Sequence, residues 1–80
     1  MVSQNTNRSI SRAQYNLGAM YYNGQGVPQN FIKTHMWYKL AAAQGYKSAV
    51  KSRDLVAAKM APQQMAEAQR LASEWKPNKR

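Results

Sequence analysis

The sequence has no cysteine, a single histidine and only three acidic residues among its 80. The lack of cysteine excludes disulfides and thiolate metal sites, and it suits a reducing compartment. One histidine and three carboxylates are too few to ligate a metal ion, and a catalytic base would have no orienting partner. We therefore predict no enzyme activity, no metal and no cofactor. The residues concerned are His35, expected on a helix surface or partly packed, Asp54 on the third helix, and Glu67 and Glu74, which are expected in solvated ion pairs.

Long apolar stretches are also lacking. No segment approaches the roughly 20 consecutive apolar residues that a membrane-spanning helix requires. Residues 1–7, MVSQNTN, lack the apolar core of a secretory signal. As written, the sequence predicts a soluble cytoplasmic protein with no membrane span, or a periplasmic or secreted one if it is a fragment of a longer precursor.

Glycine and proline are few, and they mark boundaries. Gly24 and Gly26 interrupt a helical pattern, because glycine reaches positive φ without a Cβ penalty. Pro28 forces the residue before it into an extended conformation, and Asn30 is a natural N-cap for a second helix. Gly45 ends that helix. This arrangement of helix-ending glycines, a proline and an N-cap predicts a helical hairpin.

The apolar periodicity predicts an all-α fold of four helices in two hairpins, an α-α superhelix. The helices are expected at about residues 11–23 and 30–44, from Tyr46 to Met60, and from Pro62 to before Pro77, with Ala61 unable to provide a side-chain cap. The corresponding division is a disordered lead-in over 1–10, a complete repeat over 11–45, a degenerate terminal repeat with a capping helix over 46–76, and a tail over 77–80.

Small residues recur on the faces expected to pack. The predicted stripe of the first helix comprises Ala13, Leu17, Met20 and Tyr21, with Gly18 beside it, and that of the second comprises Thr34, Trp37, Tyr38, Ala41 and Ala42. Glycine within a helix costs about 1 kcal/mol relative to alanine. Close approach of the two helices at Gly18 is the expected compensation.

The order of these residues resembles the Sel-one-like repeat, a relative of the tetratricopeptide repeat. The residues that carry the resemblance are Ala13, Leu17, Gly18, Tyr21, Gly24, Gly26, Val27, Trp37, Tyr38, Ala41, Ala42 and Gly45. The segment from Arg53 to Trp75 is similar to the closing part of bacterial members. The resemblance implies a terminal repeat with capping helices and a non-enzymatic adaptor that holds protein partners. The chain has fewer repeats than a typical member, so it is either the C-terminal end of a longer array or a short stand-alone version.

A partner surface follows from the same resemblance, because solenoids of helical hairpins present their first helices on the concave side. The predicted contact residues are Tyr15, Asn16, Ala19, Tyr22, Lys47 and Lys51.

The charge is strongly one-sided, with twelve basic residues and a net charge of +9. Such a field favours acidic partners, so binding of nucleic acid or another polyanion is the alternative hypothesis. A nucleic-acid surface needs exposed aromatic rings among its cations, and Tyr15, Tyr22 and Tyr46 are the candidates.

The N-terminal end raises a third expectation. Because residues 1–10 are too polar to cover a hairpin, the first hairpin should present uncovered apolar area. The expected contributors are Ile10, Tyr15, Tyr22, Phe31 and Ile32. We therefore expect a homodimer in which two chains meet at this end, by stacking or by exchanging a hairpin.

Overall fold

Four helices form the structure. The computed structural model describes residues 3–75, with side chains from residue 9 onward. The helices are α1 (Ser3–Asn23), α2 (Phe31–Ala43), α3 (Lys47–Ala57) and α4 (Pro62–Glu74), and no strand occurs in the described part. Helix α2 contacts the other three, so it is the central element. The predicted all-α fold with four helices is confirmed.

The loop between α1 and α2 has the predicted chemistry. Gly24 and Gly26 adopt φ values of +70° and +76°, in the region that side chains with a Cβ rarely occupy. Asn30 caps α2, because its side-chain oxygen accepts a hydrogen bond from the Lys33 backbone N–H at 3.0 Å. The Asn30 N–H donates to the Tyr21 carbonyl at 3.0 Å, which ties the start of α2 to α1.

Helix α4 starts at Pro62, as predicted, and its N-terminus is only partly capped. Ala61 precedes it and provides no side-chain hydrogen bond. The side-chain oxygen of Gln64 instead accepts from the Ala61 N–H at 2.9 Å. This contact is one half of a capping box.

Helix α1 begins earlier than expected. It starts at Ser3 rather than at about residue 11, while residues 1 and 2 lie outside the described part, and the disorder expected of residues 1–10 stays a prediction. Residues 3–10 contain neither glycine nor proline. Extending an existing helix adds a hydrogen bond per residue without a new nucleation cost, so the packed part of α1 can propagate towards the N-terminus.

Helix α3 ends earlier than expected, at Ala57 rather than Met60. The next residues form tight turns, in which Lys59 donates to the Val56 carbonyl at 2.8 Å and Met60 to the Ala57 carbonyl at 3.1 Å. The division into a complete repeat over 11–45 and a degenerate one over 46–76 stays a prediction. Residues 76–80, with the predicted tail, lie outside the described part.

The core consists mainly of small side chains. Gly18 of α1 faces Tyr38 of α2, and a Cβ at position 18 would lie 2.6 Å from two carbons of the tyrosine ring. At the other side of α2, the rings of Trp37 and Trp75 meet edge to face at 5.6 Å. The buried apolar residues are Met36, Tyr38, Ala41, Ala49, Val56, Ala68 and Ala72. Alanine and glycine let the helix axes approach closely, as predicted for Gly18.

The face that α1 buries is not the predicted stripe. Ser11, Gln14 and Gly18 are buried, and the Gln14 side-chain oxygen accepts a hydrogen bond from the Gln44 amide at 2.7 Å. Leu17 is one residue from Gly18, about 100° around the helix, so the stripe lies to one side of the contact with α2. In that stripe Ala13 and Met20 are exposed, and Leu17 and Tyr21 are half-buried.

Candidate interaction surface

Tyr15 joins α1 to α3. Its ring stacks on Tyr38 with centroids 5.1 Å apart and meets the Tyr46 ring at the same distance. Its hydroxyl lies 3.1 Å from the Ser52 hydroxyl, a hydrogen bond between residues 37 positions apart. These contacts tie α3 and the residue before it to Tyr15 of α1.

The exposed face of α3 next to this contact carries a row of residues at four-residue spacing, hereafter the α3 row. It consists of Lys47, Lys51, Leu55 and Lys59, all exposed. Residues four apart lie on one face of a helix, and Lys59 follows in the turn after α3. Leu55 is 69% exposed, against 42% for Ile10. Single exposed leucines are common in proteins. Leu55 stands out because cations flank it on both sides.

The lysines of the α3 row have no acidic side chain to pair with among the described residues. Asp54 pairs with Arg53 at 3.3 Å, while Glu67 and Glu74 both pair with Arg70, at 2.6 and 3.0 Å. These pairs involve all three acidic residues of the chain. The predicted ion pairs of Glu67 and Glu74 are confirmed, and the lysines of the α3 row are left without a carboxylate partner within the described part of the chain.

The glycine contact with Tyr38, the double-glycine loop and the Asn30 cap together define the first hairpin. A model of the Sel1 repeat family matches residues 11–46. Residues 11–46 are a Sel1 repeat. Sel1 repeats have a helical fold related to the tetratricopeptide repeat, generally mediate protein–protein interaction and are not catalytic modules. Searches of curated proteins and of solved structures found no match.

Two of the six predicted contact residues are used in packing the Sel1 repeat. Tyr15 is half-buried among rings, and the half-buried Tyr22 stacks on Phe31 with centroids 5.6 Å apart. Asn16, Lys47 and Lys51 are exposed, and Ala19 is half-buried. Contact of these six with a partner stays a prediction.

Sequence reasoning missed Leu55 and Lys59 as members of the surface. Leu55 fits the apolar pattern of the third helix, and that pattern suggests a buried residue. The signal that marks it as exposed is its spacing of four residues from Lys51 and eight from Lys47. A position in register with two lysines lies on the solvent face.

A second exposed apolar feature runs along α1 of the Sel1 repeat, hereafter the α1 stripe. Ile10 is 42% and Met20 36% exposed. The stripe consists of Ile10, Ala13, Leu17 and Met20. It replaces most of the expected uncovered area, because the rings of Tyr15, Tyr22 and Phe31 pack on one another or on neighbouring rings, and Ile32 is half-buried.

His35 is buried rather than on a helix surface. Only 4% of it is exposed, and its Nδ1 has no hydrogen-bond partner among the described residues. Burial lowers the pKa of His35, the positive charges of Arg53 and Lys39 lower it further, and Asp54 opposes them. The neutral form of the imidazole is therefore favoured over the charged form.

The residues that the structure describes contain neither a cluster of metal ligands nor a membrane-spanning helix. No three histidine, cysteine, aspartate or glutamate side chains within them are grouped so that they could hold a metal ion. No helix in that part is both long and apolar enough to cross a membrane.

Proposed function

We propose that the Sel1 repeat and the two helices after it form a non-catalytic module that binds a protein partner on the α1–α3 surface. We define this surface as Asn16 and Ala19 of α1 together with the α3 row. The observation that supports the proposal is the exposure of Leu55 between cations. Full burial of a leucine side chain contributes about 1.5–3 kcal/mol, so covering the exposed 69% of Leu55 contributes roughly 1–2 kcal/mol to binding.

The partner has an acidic surface with an apolar side chain at its centre. Exposed ion pairs each contribute only about 0–1 kcal/mol, so the lysines mainly orient the partner and accelerate its association. Leu55 supplies the contact that slows dissociation. A partner of this kind fits both the unpaired lysines and the leucine, whereas a purely anionic polymer would leave Leu55 exposed.

The packing of the tyrosine rings argues against the alternative of nucleic-acid binding. A nucleic-acid surface stacks bases on exposed rings. Tyr15 and Tyr22 instead stack on Tyr38 and Phe31, and Tyr46 meets the Tyr15 ring. The α3 row itself contains no aromatic residue.

The test is affinity capture from a lysate of the source organism, followed by calorimetry with the purified partner. Leu55→Glu should weaken binding by about tenfold or more, which corresponds to about 1.4 kcal/mol. Lys33→Gln is the matched control, because it also lowers the net charge by one, and Lys33 is exposed with its amine over the Tyr21 ring. Equal losses in both variants, with unchanged circular dichroism, would show that net charge matters and that Leu55 does not.

The α1 stripe supports a second candidate, self-association through the first hairpin. Four apolar residues at spacings of three and four form a continuous edge on one side of α1. A second copy of the chain offers the same edge. The net charge of +9 opposes the approach of two copies, so added salt should favour the dimer. Sedimentation at several protein and salt concentrations tests this candidate.

A further inference from the structure

A hollow lies where the C-terminal halves of α2 and α4 meet α3. Leu40, Ala43, Val50 and Ala72 provide its apolar lining, and Lys39 and Arg53 provide its cations. The volume is about 420 Å³. Ligand sites in proteins span about 300–1,000 Å³, so the hollow is large enough to receive a side chain with its flanking backbone.

The lining is apolar and partly uncovered. Val50 is 38% exposed, and Leu40 is half-buried. Alanines line much of the remainder, and their short side chains are the reason that a hollow exists between the three helices. An apolar group placed there would remove exposed Val50 and Leu40 surface from water.

The cations of the hollow are poorly neutralised. Lys39 has no acidic partner among the described side chains. Arg53 contacts Asp54 at 3.3 Å, but that carboxylate is 68% exposed, and exposed pairs of this kind are weak. The positive charge of both residues is felt at His35, whose pKa they lower, so Lys39 and Arg53 act on the same region. An anion beside the apolar lining would be attracted by both.

This hollow is separate from the α1–α3 surface. Val50 and Leu55 are five residues apart on α3, which is about 140° around the helix. The hollow therefore opens on a different side of α3 from Leu55, and none of its lining residues belongs to the α1–α3 surface. The C-terminal residues of the chain are unsuitable occupants of the hollow, because Lys39 and Arg53 would repel the positive charges of the tail. Those charges belong to Lys76, Lys79 and Arg80.

We propose that the hollow binds an acidic peptide segment in which a large apolar residue is flanked by carboxylates. The apolar side chain lies against Leu40 and Val50, and the carboxylates on either side pair with Lys39 and Arg53. A nucleic acid does not fit this chemistry, because the lining offers no aromatic ring on which a base would stack. The hollow is separate from the α1–α3 surface. Peptide binding in the hollow therefore does not depend on partner binding at that surface.

The test is an NMR titration of the ¹⁵N-labelled full chain with two short probes, acetyl-Glu-Leu-Glu-amide and its uncharged analogue acetyl-Gln-Leu-Gln-amide. We expect the amide signals of Ala43, Val50 and Ser73 to shift with the acidic peptide. The analogue should bind about fivefold more weakly or worse, since it lacks both charged pairs. Equal responses to the two peptides, or shifts centred on Leu55, would overturn the proposal.

Two variants give independent checks. Lys39→Gln with Arg53→Gln should weaken binding of the acidic peptide about fivefold or more, whereas Lys47→Gln with Lys51→Gln removes the same net charge and should leave the affinity unchanged. Ala43→Leu fills the hollow from an exposed position and should reduce affinity by about fivefold while the charges remain. If both double variants lose binding equally, or if Ala43→Leu binds like wild type, the peptide does not occupy the hollow.

Discussion

Replacing Gly18 with alanine adds one methyl group at the tightest point between α1 and α2. The new Cβ would lie 2.6 Å from the Cδ1 and Cε1 atoms of Tyr38 and 3.3 Å from the Thr34 carbonyl oxygen. Carbon atoms in contact are normally about 3.5–4.0 Å apart, so the ring must retreat by about 1 Å. Tyr38 is only 5% exposed and stacks on Tyr15, so it is unable to retreat without displacing a second ring.

Two opposing effects decide the magnitude. Alanine is favoured over glycine within a helix by about 1 kcal/mol. Overpacking a tight contact costs about 1–3 kcal/mol, and a 2.6 Å approach to a packed ring lies towards the upper end. We therefore expect Gly18→Ala to lower the free energy of unfolding by about 1–2 kcal/mol. The loss is substantial, because a domain of this length has a total stability of about 4–12 kcal/mol. Gly18→Leu should destabilise the fold further.

Urea unfolding followed by circular dichroism measures the effect. Asn16→Ala is the control, because Asn16 is exposed in the same helix and alanine there should stabilise by roughly 0.5 kcal/mol. In a Tyr38→Leu background, which removes the rigid ring edge, Gly18→Ala should become neutral or stabilising. Wild-type stability or better for Gly18→Ala alone, or an equal loss in both backgrounds, would refute the assignment of Gly18 to the contact with Tyr38.

Three further predictions concern the cap, the buried histidine and the α1 stripe. Asn30→Ala should lower the free energy of unfolding by about 1 kcal/mol, because the cap to the Lys33 N–H is lost, and an unchanged urea midpoint would contradict this. The lowered pKa of folded His35 means that the unfolded chain binds the proton more readily, so stability is complete well above the ordinary pKa of 6.5 and falls as the pH drops through it. His35→Gln should therefore show a smaller fall in melting temperature between pH 7.5 and about 5.5 than wild type, and parallel curves would be the contrary result. Met20→Lys should reduce self-association in high-salt sedimentation, and a wild-type chain that stays monomeric at high micromolar concentration would exclude the dimer.

The loop and the helix ends of the first hairpin could be predicted, because they depend on local sequence. The positive φ of Gly24 and Gly26 follows from the lack of a Cβ, and the caps at Asn30 and Pro62 depend on residues within one turn. The need for close packing at Gly18 also followed from a cost measured within a single helix. Such features require no knowledge of distant neighbours.

The extent of α1 and α3 was harder to predict, since helix ends depend on a balance of small terms. Segment 3–10 has no glycine or proline to stop a helix, and its several serine, asparagine and threonine residues offer competing N-caps, so no single start is favoured. Propagation from the packed part of α1 decides that the helix reaches Ser3. The C-terminus of α3 shows the opposite effect. Tight turns after Ala57 end this helix, although its sequence favours helix up to Met60.

The sequence by itself determined the hairpin, its loop and its family, because these depend on neighbouring residues and on an ordered set of small side chains. Only the tertiary structure decided which faces are covered. Periodicity identified an apolar stripe on α1. In the structure α1 instead packs against Tyr38 through Gly18, so part of that stripe remains exposed. The contact between Tyr15 and Ser52 removed a ring from the surface and set the position of α3, leaving Leu55 exposed. A side chain is buried or exposed according to what packs against it, and the residues that pack lie tens of positions away in the chain.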